Sequence, residues 1–406
     1  MKLVLLFGLF PNETRDVIIG RSKGVIQYAA DALQWAIVKG LNANNIEYDI
    51  INLPYIGAYP GGYDTLYTQR SKFSTNNITP ELEGENVPFC NLKGYKHISR
   101  YLGAKRALKR KIKELKSSNI NILIYSVNTS FIKAAIDLKK QYNDIKITII
   151  VPDLPQYMGG SMSFPINYIK KYNQQLLYNY YTYIDKFVLL SKYMVDALPV
   201  GDKPVAVMEG IYDSENIPFS EKKINNNQKI IFYGGTLAKR YGIINLVNAF
   251  MTLTNKQYHL IICGEGDAKE EIIEASLKDS RIKYKGQLDR NEILNFQRNS
   301  NLLVNPRTPE GKFTKYSFPS KTMEYLASGT PVLLYKLDGI PDEYYNYCFS
   351  LEKFEGIYQL SNKMDEILKM DDVKLNEIGK YAQAFILNNK NPKAQVKKII
   401  DLINNN

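Results

Sequence analysis

The stretch Tyr316-Ser-Phe-Pro-Ser-Lys-Thr-Met-Glu-Tyr-Leu-Ala-Ser-Gly-Thr-Pro-Val332 decides how this chain is read. The apolar run before it, Asn301-Leu-Leu-Val-Asn305, has the character of a buried strand. Ser317-Phe-Pro-Ser320 is then a turn, residues 321–328 are helical, and Gly329 ends the helix. Pro331-Val-Leu-Leu-Tyr335 reads as the next strand. The first amides of such a helix have no internal partner and carry the positive end of its dipole. Pro319 suits the first helical turn and Ser317 suits the cap. A strand, turn and helix of this kind form a site for phosphate. Lys321 adds a positive charge beside it, and Glu324, one turn further in, is placed for a sugar hydroxyl.

The chain has 406 residues, which suits two domains of about 200 residues each rather than one core. A hydrophobic content of 45% and a charged content of 23% are those of an ordinary globular protein. The net charge of +12 favours anionic partners. Cys90, Cys263 and Cys348 are far apart and show neither metal spacing nor a disulfide framework, so a reducing compartment is expected. The opening Met1-Lys-Leu-Val-Leu-Leu-Phe-Gly-Leu-Phe10 resembles a short leader, but turn residues follow it without a small-residue cleavage site. It is read as a first buried strand. No apolar run reaches the ~20 residues of a spanning helix. The expected location is cytoplasmic, or peripheral on the inner face of the cell membrane.

The first half alternates strands and helices. Residues 2–10, 48–52, 119–126, 146–151, 186–190 and 205–207 read as strands. Residues 24–41, 93–116, 130–142, 166–184 and 191–198 read as helices, and 11–21 and 56–90 as loops. Alternation of this kind implies a parallel sheet covered on both faces. Residues 93–116 carry ten Lys and Arg side chains, including Lys96, Arg100 and Lys105, against Glu114 alone. Such a segment is either a solvated helix face or a surface for an anionic membrane or a lipid-diphosphate acceptor. No aromatic-interleaved motif supports nucleic acid. Asp153, in Val151-Pro-Asp-Leu-Pro155, falls at the carboxyl end of a strand, where doubly wound sheets bind ligands. It is a candidate for acceptor binding or catalysis, and equally for a turn residue between two prolines.

The polar residues 208–228 read as a linker between a first domain, 1–207, and a second, 229–388, with a last helix over 389–406. The second domain starts with a strand over 229–233 and the glycine turn Gly234-Gly-Thr-Leu-Ala-Lys-Arg-Tyr-Gly242. Gly234 and Gly235 let a phosphate approach the backbone, and Lys239 and Arg240 neutralise it. The spacing matches neither the dinucleotide fingerprint nor a P-loop. A strand over 259–263 follows, then a strand over 282–284 and the turn Gly286-Gln-Leu288, where a nucleobase can lie. Helices are read over 243–253, 269–277, 289–298, 358–368, 374–387 and 392–403.

Tyr233-Gly-Gly-Thr-Leu-Ala-Lys-Arg-Tyr-Gly-Ile243, Ile261-Ile-Cys-Gly-Glu-Gly266, Tyr284-Lys-Gly-Gln-Leu288, Asn305-Pro-Arg307 and the opening stretch resemble, in this order, the donor domain of family 4 glycosyltransferases of the GT-B fold. The first half resembles the acceptor domain through Ala29-Ala-Asp-Ala-Leu-Gln-Trp35 and Asp153-Leu-Pro155. The resemblance implies two Rossmann-like, doubly wound α/β domains facing across a cleft, with the last helix crossing back to the first. It implies a retaining transfer of a hexose-type sugar from a nucleotide diphosphate sugar, UDP-sugar favoured, without metal or other cofactor. The acceptor would be a glycan or a lipid-linked molecule in cell-surface polysaccharide or glycoconjugate synthesis.

Family members carry two glutamates eight residues apart. The second matches Glu324, assigned to the ribose, and the first is Tyr316 here. Tyr316, Lys315 and the backbone amides of Ser317 and Phe318 are left to take its place. The family's histidine beside the strand that ends at Val151-Pro-Asp153 is also missing. The expected donor set is Gly234, Gly235, Lys239, Arg240, Gly286, Leu288, Tyr316, Ser317, Phe318, Pro319, Ser320, Lys321 and Glu324. The expected catalytic residues are Asp153, Lys239 and Arg240. The competing expectations are another GT-B reaction, such as a nucleotide-sugar epimerase, and a non-catalytic nucleotide-sugar-binding protein.

Overall fold

A computed structural model describes residues 2–75, 83–116, 119–154, 166–215, 228–310 and 314–405, apart from the side chains of 166–172. Pro155, the tip of the expected 56–90 loop and most of the expected linker lie outside the described residues. The chain divides into two compact units, Met1–Ile211 with Pro392–Asn406, and Tyr212–Asn391.

The first unit runs β1 (Lys2–Phe7), α1 (Arg15–Gly20), α2 (Tyr28–Ala43), β2 (Tyr48–Asn52), β3 (Ser71–Ser74), β4 (Glu83–Asn86), α3 (Lys96–Leu115) and β5 (Ile120–Tyr125). It continues with α4 (Thr129–Lys139), β6 (Ile145–Val151), α5 (Ile166–Tyr181), β7 (Lys186–Leu189) and β8 (Val205–Val207). The described strands form one sheet in the order β3-β4-β2-β1-β5-β6-β7-β8, parallel apart from the β3–β4 pair. The chain leaves β1 toward β2 on one side and returns to β5 on the other, so the switch point lies between β1 and β5.

The central strands read as apolar runs because both their faces are buried, as at Val4–Phe7 and Ile147–Val151. Three elements fall where the sequence predicts loop. β3 and β4 are short, polar edge strands whose pairing on β2 supplies the backbone partners that their side chains do not advertise. α1 is a six-residue helix whose only buried residue is Ile18, too little for a periodic signal. The residues expected to form a helix over 191–198 make a 3-10 turn at Lys192–Ala197.

The second unit runs β9 (Lys229–Gly234), α6 (Ile243–Met251), β10 (Tyr258–Cys263), α7 (Lys269–Lys278), β11 (Ile282–Tyr284), α8 (Arg290–Asn299) and β12 (Leu302–Asn305). It continues with α9 (Ser320–Ala327), β13 (Val332–Tyr335), β14 (Phe349–Leu351), α10 (Ile357–Leu368) and α11 (Asp372–Asn389). Its described strands form a wholly parallel sheet, β11-β10-β9-β12-β13-β14, with the switch point between β9 and β12. One apolar cluster fills each face, around Leu246, Phe250 and Met364 on one and Phe232, Tyr325 and Phe385 on the other.

The last helix, α12 (Pro392–Asn404), packs in the first unit, with Val396, Ile399, Leu402 and Ile403 joining its core. Gly40 permits the close approach of α2. A Cβ there would stand 2.3 Å from Val396 Cγ2 and 2.4 Å from the Pro392 carbonyl. At the far end the buried ammonium of Lys186 donates to the carbonyls of Leu402, Ile403 and Asn405 at 2.9, 3.0 and 2.5 Å. Those carbonyls have no partner within the helix, so Lys186 both caps them and opposes the negative end of the dipole.

Candidate functional site

The second unit gathers most of the expected donor residues at its switch point. β9 ends in Gly234 and Gly235, and α9 lies beside them. Gly234 N donates to Tyr325 Oη at 3.0 Å, and the ammonium of Lys321 donates to the Gly234 carbonyl. Lys321 Nζ also lies 4.9 Å from the centre of the Tyr233 ring. Burial pushes Lys321 down to about 8, against the opposing pull of Glu324 and Cys263. The first position of α9 is Ser320, and Pro319 stands at the cap position, where no side-chain cap bond is made. The cap expected from Ser317 is replaced by another contact: Arg307 Nη2 donates to Ser317 Oγ at 3.3 Å.

Arg307 is the cation that sequence reasoning left out of the donor set. It stands just past β12, in Asn305-Pro-Arg307, and its signals were that position at the switch point and its place among the pieces that carry the family resemblance. Its guanidinium lies 5.2 Å from the Tyr241 ring, and the guanidinium of Arg240 lies 5.1 Å from the same ring. Burial pushes Arg307 down from its ordinary value, opposed by Tyr241 and reinforced by the nearby Arg240 charge. Arg240, Arg307 and Lys321 thus concentrate positive charge around Tyr233 and Tyr241.

Glu324 is half-buried and accepts a hydrogen bond of 2.6 Å from Gln297 Nε2 on α8. Gln297 is fully buried, and its backbone carbonyl accepts from Thr330 Oγ1 at 2.7 Å. The pair orients the carboxylate, a role that no local motif announced.

The other expected residues are placed differently. Lys239 lies in a 3-10 turn on the surface and pairs with Glu271, while its backbone N donates to Asp267 Oδ1 at 2.8 Å. The Phe318 side chain packs in the core, with its ring 5.3 Å from that of Tyr344. Leu288 packs against the same cluster, beside Gly286. Tyr316 stacks under Lys315 Nζ at 5.7 Å, and Ser320 is exposed. Asp153 belongs to the first unit, just past β6, where burial raises its carboxyl above the ordinary range.

Residues 214–385 match the family model described as glycosyl transferases group 1. The matched residues include the β9 turn, Arg307, α9 and Glu324. Solved structures share the fold over the whole length. Sucrose-phosphate synthase from Thermosynechococcus elongatus is 15% identical with a TM-score of 0.59, covering 99% of this chain and 98% of that one. Anabaena HepE, solved in complex with UDP, is 12% identical with a TM-score of 0.59, covering 99% of each chain. A glycosyltransferase from Rickettsia africae is 15% identical with a TM-score of 0.58, covering 100% of this chain and 99% of that one. At these identities the likeness establishes the two-domain α/β GT-B fold. No curated protein matches the chain.

Proposed function

We propose that the protein is a retaining family 4 glycosyltransferase that moves a hexose-type sugar from a nucleotide diphosphate sugar, UDP-sugar favoured, and needs no metal. The observation that carries this reading is the convergence of Arg240, Arg307, Lys321 and the start of α9 at the end of β9, with Glu324 one turn away. The cations and first-turn amides hold the diphosphate and stabilise the charge that grows on it as the glycosidic bond breaks. Glu324, oriented by Gln297, takes the ribose hydroxyls. Lys239 serves from the rim, once its exposed pair with Glu271 is exchanged for phosphate. Asp153 is the acceptor-side candidate of the first unit.

The acceptor in this proposal is a glycan or lipid-linked molecule of cell-surface polysaccharide or glycoconjugate synthesis, met at an anionic membrane surface. α3 supports the surface only in part. Lys105, Arg110 and Lys111 are tied to Asp137, Glu85 and Asp49, which leaves Lys93, Arg106, Lys109, Lys113 and Lys116 exposed. Among the described residues no helix is long and apolar enough to cross a membrane. The test is release of nucleoside diphosphate from a panel of nucleotide sugars, with and without candidate acceptors and with a metal chelator present. The α-anomer should be made from an α-linked donor. No turnover and no UDP-induced thermal shift across the panel would overturn the reading.

A further inference from the structure

The first two turns of α3 hold two cations, Lys96 and Arg100, that face no carboxylate among the described residues. Arg100 is 3% exposed, and its guanidinium lies 5.0, 5.2 and 4.9 Å from the rings of Tyr55, Phe89 and Phe131. Its Nη2 donates to the Leu53 carbonyl, while Nε has no hydrogen-bond partner among the described residues. One turn earlier, Lys96 Nζ donates to the Ile56 carbonyl, and His97 stands beside it, exposed. Further along the same helix, Lys105, Arg110 and Lys111 each face a carboxylate. Lys96 and Arg100 are instead matched by carbonyl oxygens and ring faces. Burial and then the Arg100 charge push Lys96 down to about 8, and burial pushes Arg100 down to about 10. Burying charge without an opposite charge is costly, and a docked anion removes that cost.

The place is one where ligands bind. Leu53 and Ile56 follow β2, and Tyr55 donates from its hydroxyl to the Tyr125 carbonyl at the end of β5. This is the carboxyl edge of the sheet, beside its switch point. No side chain caps α3, so its first turn adds its own positive end. Leu92, Tyr95 and Ile98, 43%, 45% and 53% exposed, put apolar surface next to the charge.

We propose that Lys96, with His97 and the first turn of α3, binds a phosphate or diphosphate group of the acceptor, with Arg100 fixed behind them as a buried positive charge. Leu92, Tyr95 and Ile98 take an apolar chain attached to that group. This rests on the transferase reading and adds the chemical class of the acceptor.

The test uses the full chain with UDP at saturation, so that the second unit's anion site is filled. Farnesyl diphosphate, glucose 6-phosphate and farnesol are then titrated by calorimetry into wild type, Lys96→Met and Lys96→Arg. Wild type is expected to bind the phosphate-bearing probes and not farnesol. Lys96→Met should weaken them about tenfold or more, as the loss of one charge-assisted contact, and Lys96→Arg should retain them. Tighter binding of farnesyl diphosphate supports a lipid-borne phosphate, and equal or tighter binding of glucose 6-phosphate overturns the apolar-chain assignment and makes the phosphate a soluble one. Unchanged affinity in Lys96→Met, or no binding of either phosphate while UDP still binds, overturns this proposal and leaves the transferase reading standing. Failure of wild type to bind UDP overturns that reading instead.

Discussion

The ammonium of Lys321 stands where the Cβ of residue 235 would be: an ideal Cβ on Gly235 would meet Lys321 Nζ at 1.4 Å. Gly235 also has φ of +147°, a conformation that side chains rarely adopt. The charge at Gly235 therefore comes from α9, and it can be there only while residue 235 has no side chain. Gly235→Ala should displace the ammonium and lower UDP affinity about tenfold or more, the equivalent of ~1.4 kcal/mol. Calorimetry on the variant checks this, with far-UV circular dichroism as the fold control. An unchanged affinity would separate Lys321 from donor binding.

The depressed value of Lys321, about 8, predicts two pH effects. The folded-state value lies below that of the unfolded chain, so between about pH 8 and 10.5 the unfolded state binds the extra proton. Stability of wild type relative to Lys321→Met should then rise with pH across that window. UDP, an anion, prefers the protonated amine, so its affinity for wild type should fall as pH rises through about 8. Guanidinium groups in general stay charged across that range. Denaturant titrations and UDP binding at several pH values read both effects. A pH-independent UDP affinity, matched by Lys321→Met, would place the ammonium outside the anion site.

Glu324→Ala should weaken UDP strongly and leave the affinity for inorganic diphosphate unchanged, because its assigned partner is the ribose. Gln297→Leu removes the 2.6 Å hydrogen bond that orients the carboxylate and should give a milder loss with the same selectivity. Equal losses for UDP and diphosphate would reassign Glu324 to the electrostatics of the site.

Lys186→Met leaves the carbonyls of Leu402, Ile403 and Asn405 without their donor. The expected cost is about 2 kcal/mol in chemical denaturation, as for a buried group left unsatisfied. Limited proteolysis should cut near residue 390 sooner in the variant. Wild-type resistance would mean that the apolar face of α12 holds it without the cap.

Replacing Lys93, Arg106, Lys109 and Lys113 together with Gln should reduce binding to phosphatidylserine vesicles, each charge contributing about 1 kcal/mol at low salt. The same change at Lys105, Arg110 and Lys111 should matter less, because their charges are already engaged with Asp137, Glu85 and Asp49. Co-sedimentation at two salt concentrations distinguishes the sets. Equal binding by all three proteins would remove the membrane surface from the proposal.

What the sequence determined by itself was the alternation of elements and the glycine turns that follow the strands. Parallel strands buried on both faces are predominantly apolar, as in Leu302-Leu-Val304 and Ile149-Ile-Val151, and glycine turns after them are local chemistry. Capping is local too, and Asp289 with Glu292 forms a capping box at the start of α8. Tertiary structure alone decided the rest. β3 and β4 are strands because β2 offers a free edge, not because Ser71–Ser74 or Glu83–Asn86 is apolar. Arg307 joins Arg240, Lys239 turns to Glu271, and Phe318 sinks into the core because side-chain direction is set by packing across elements distant in sequence. Whether a cation of α3 meets a carboxylate depends on which strand or helix lies opposite. That is why Lys111 meets the carboxylate of Asp49 and Lys96 the carbonyl of Ile56.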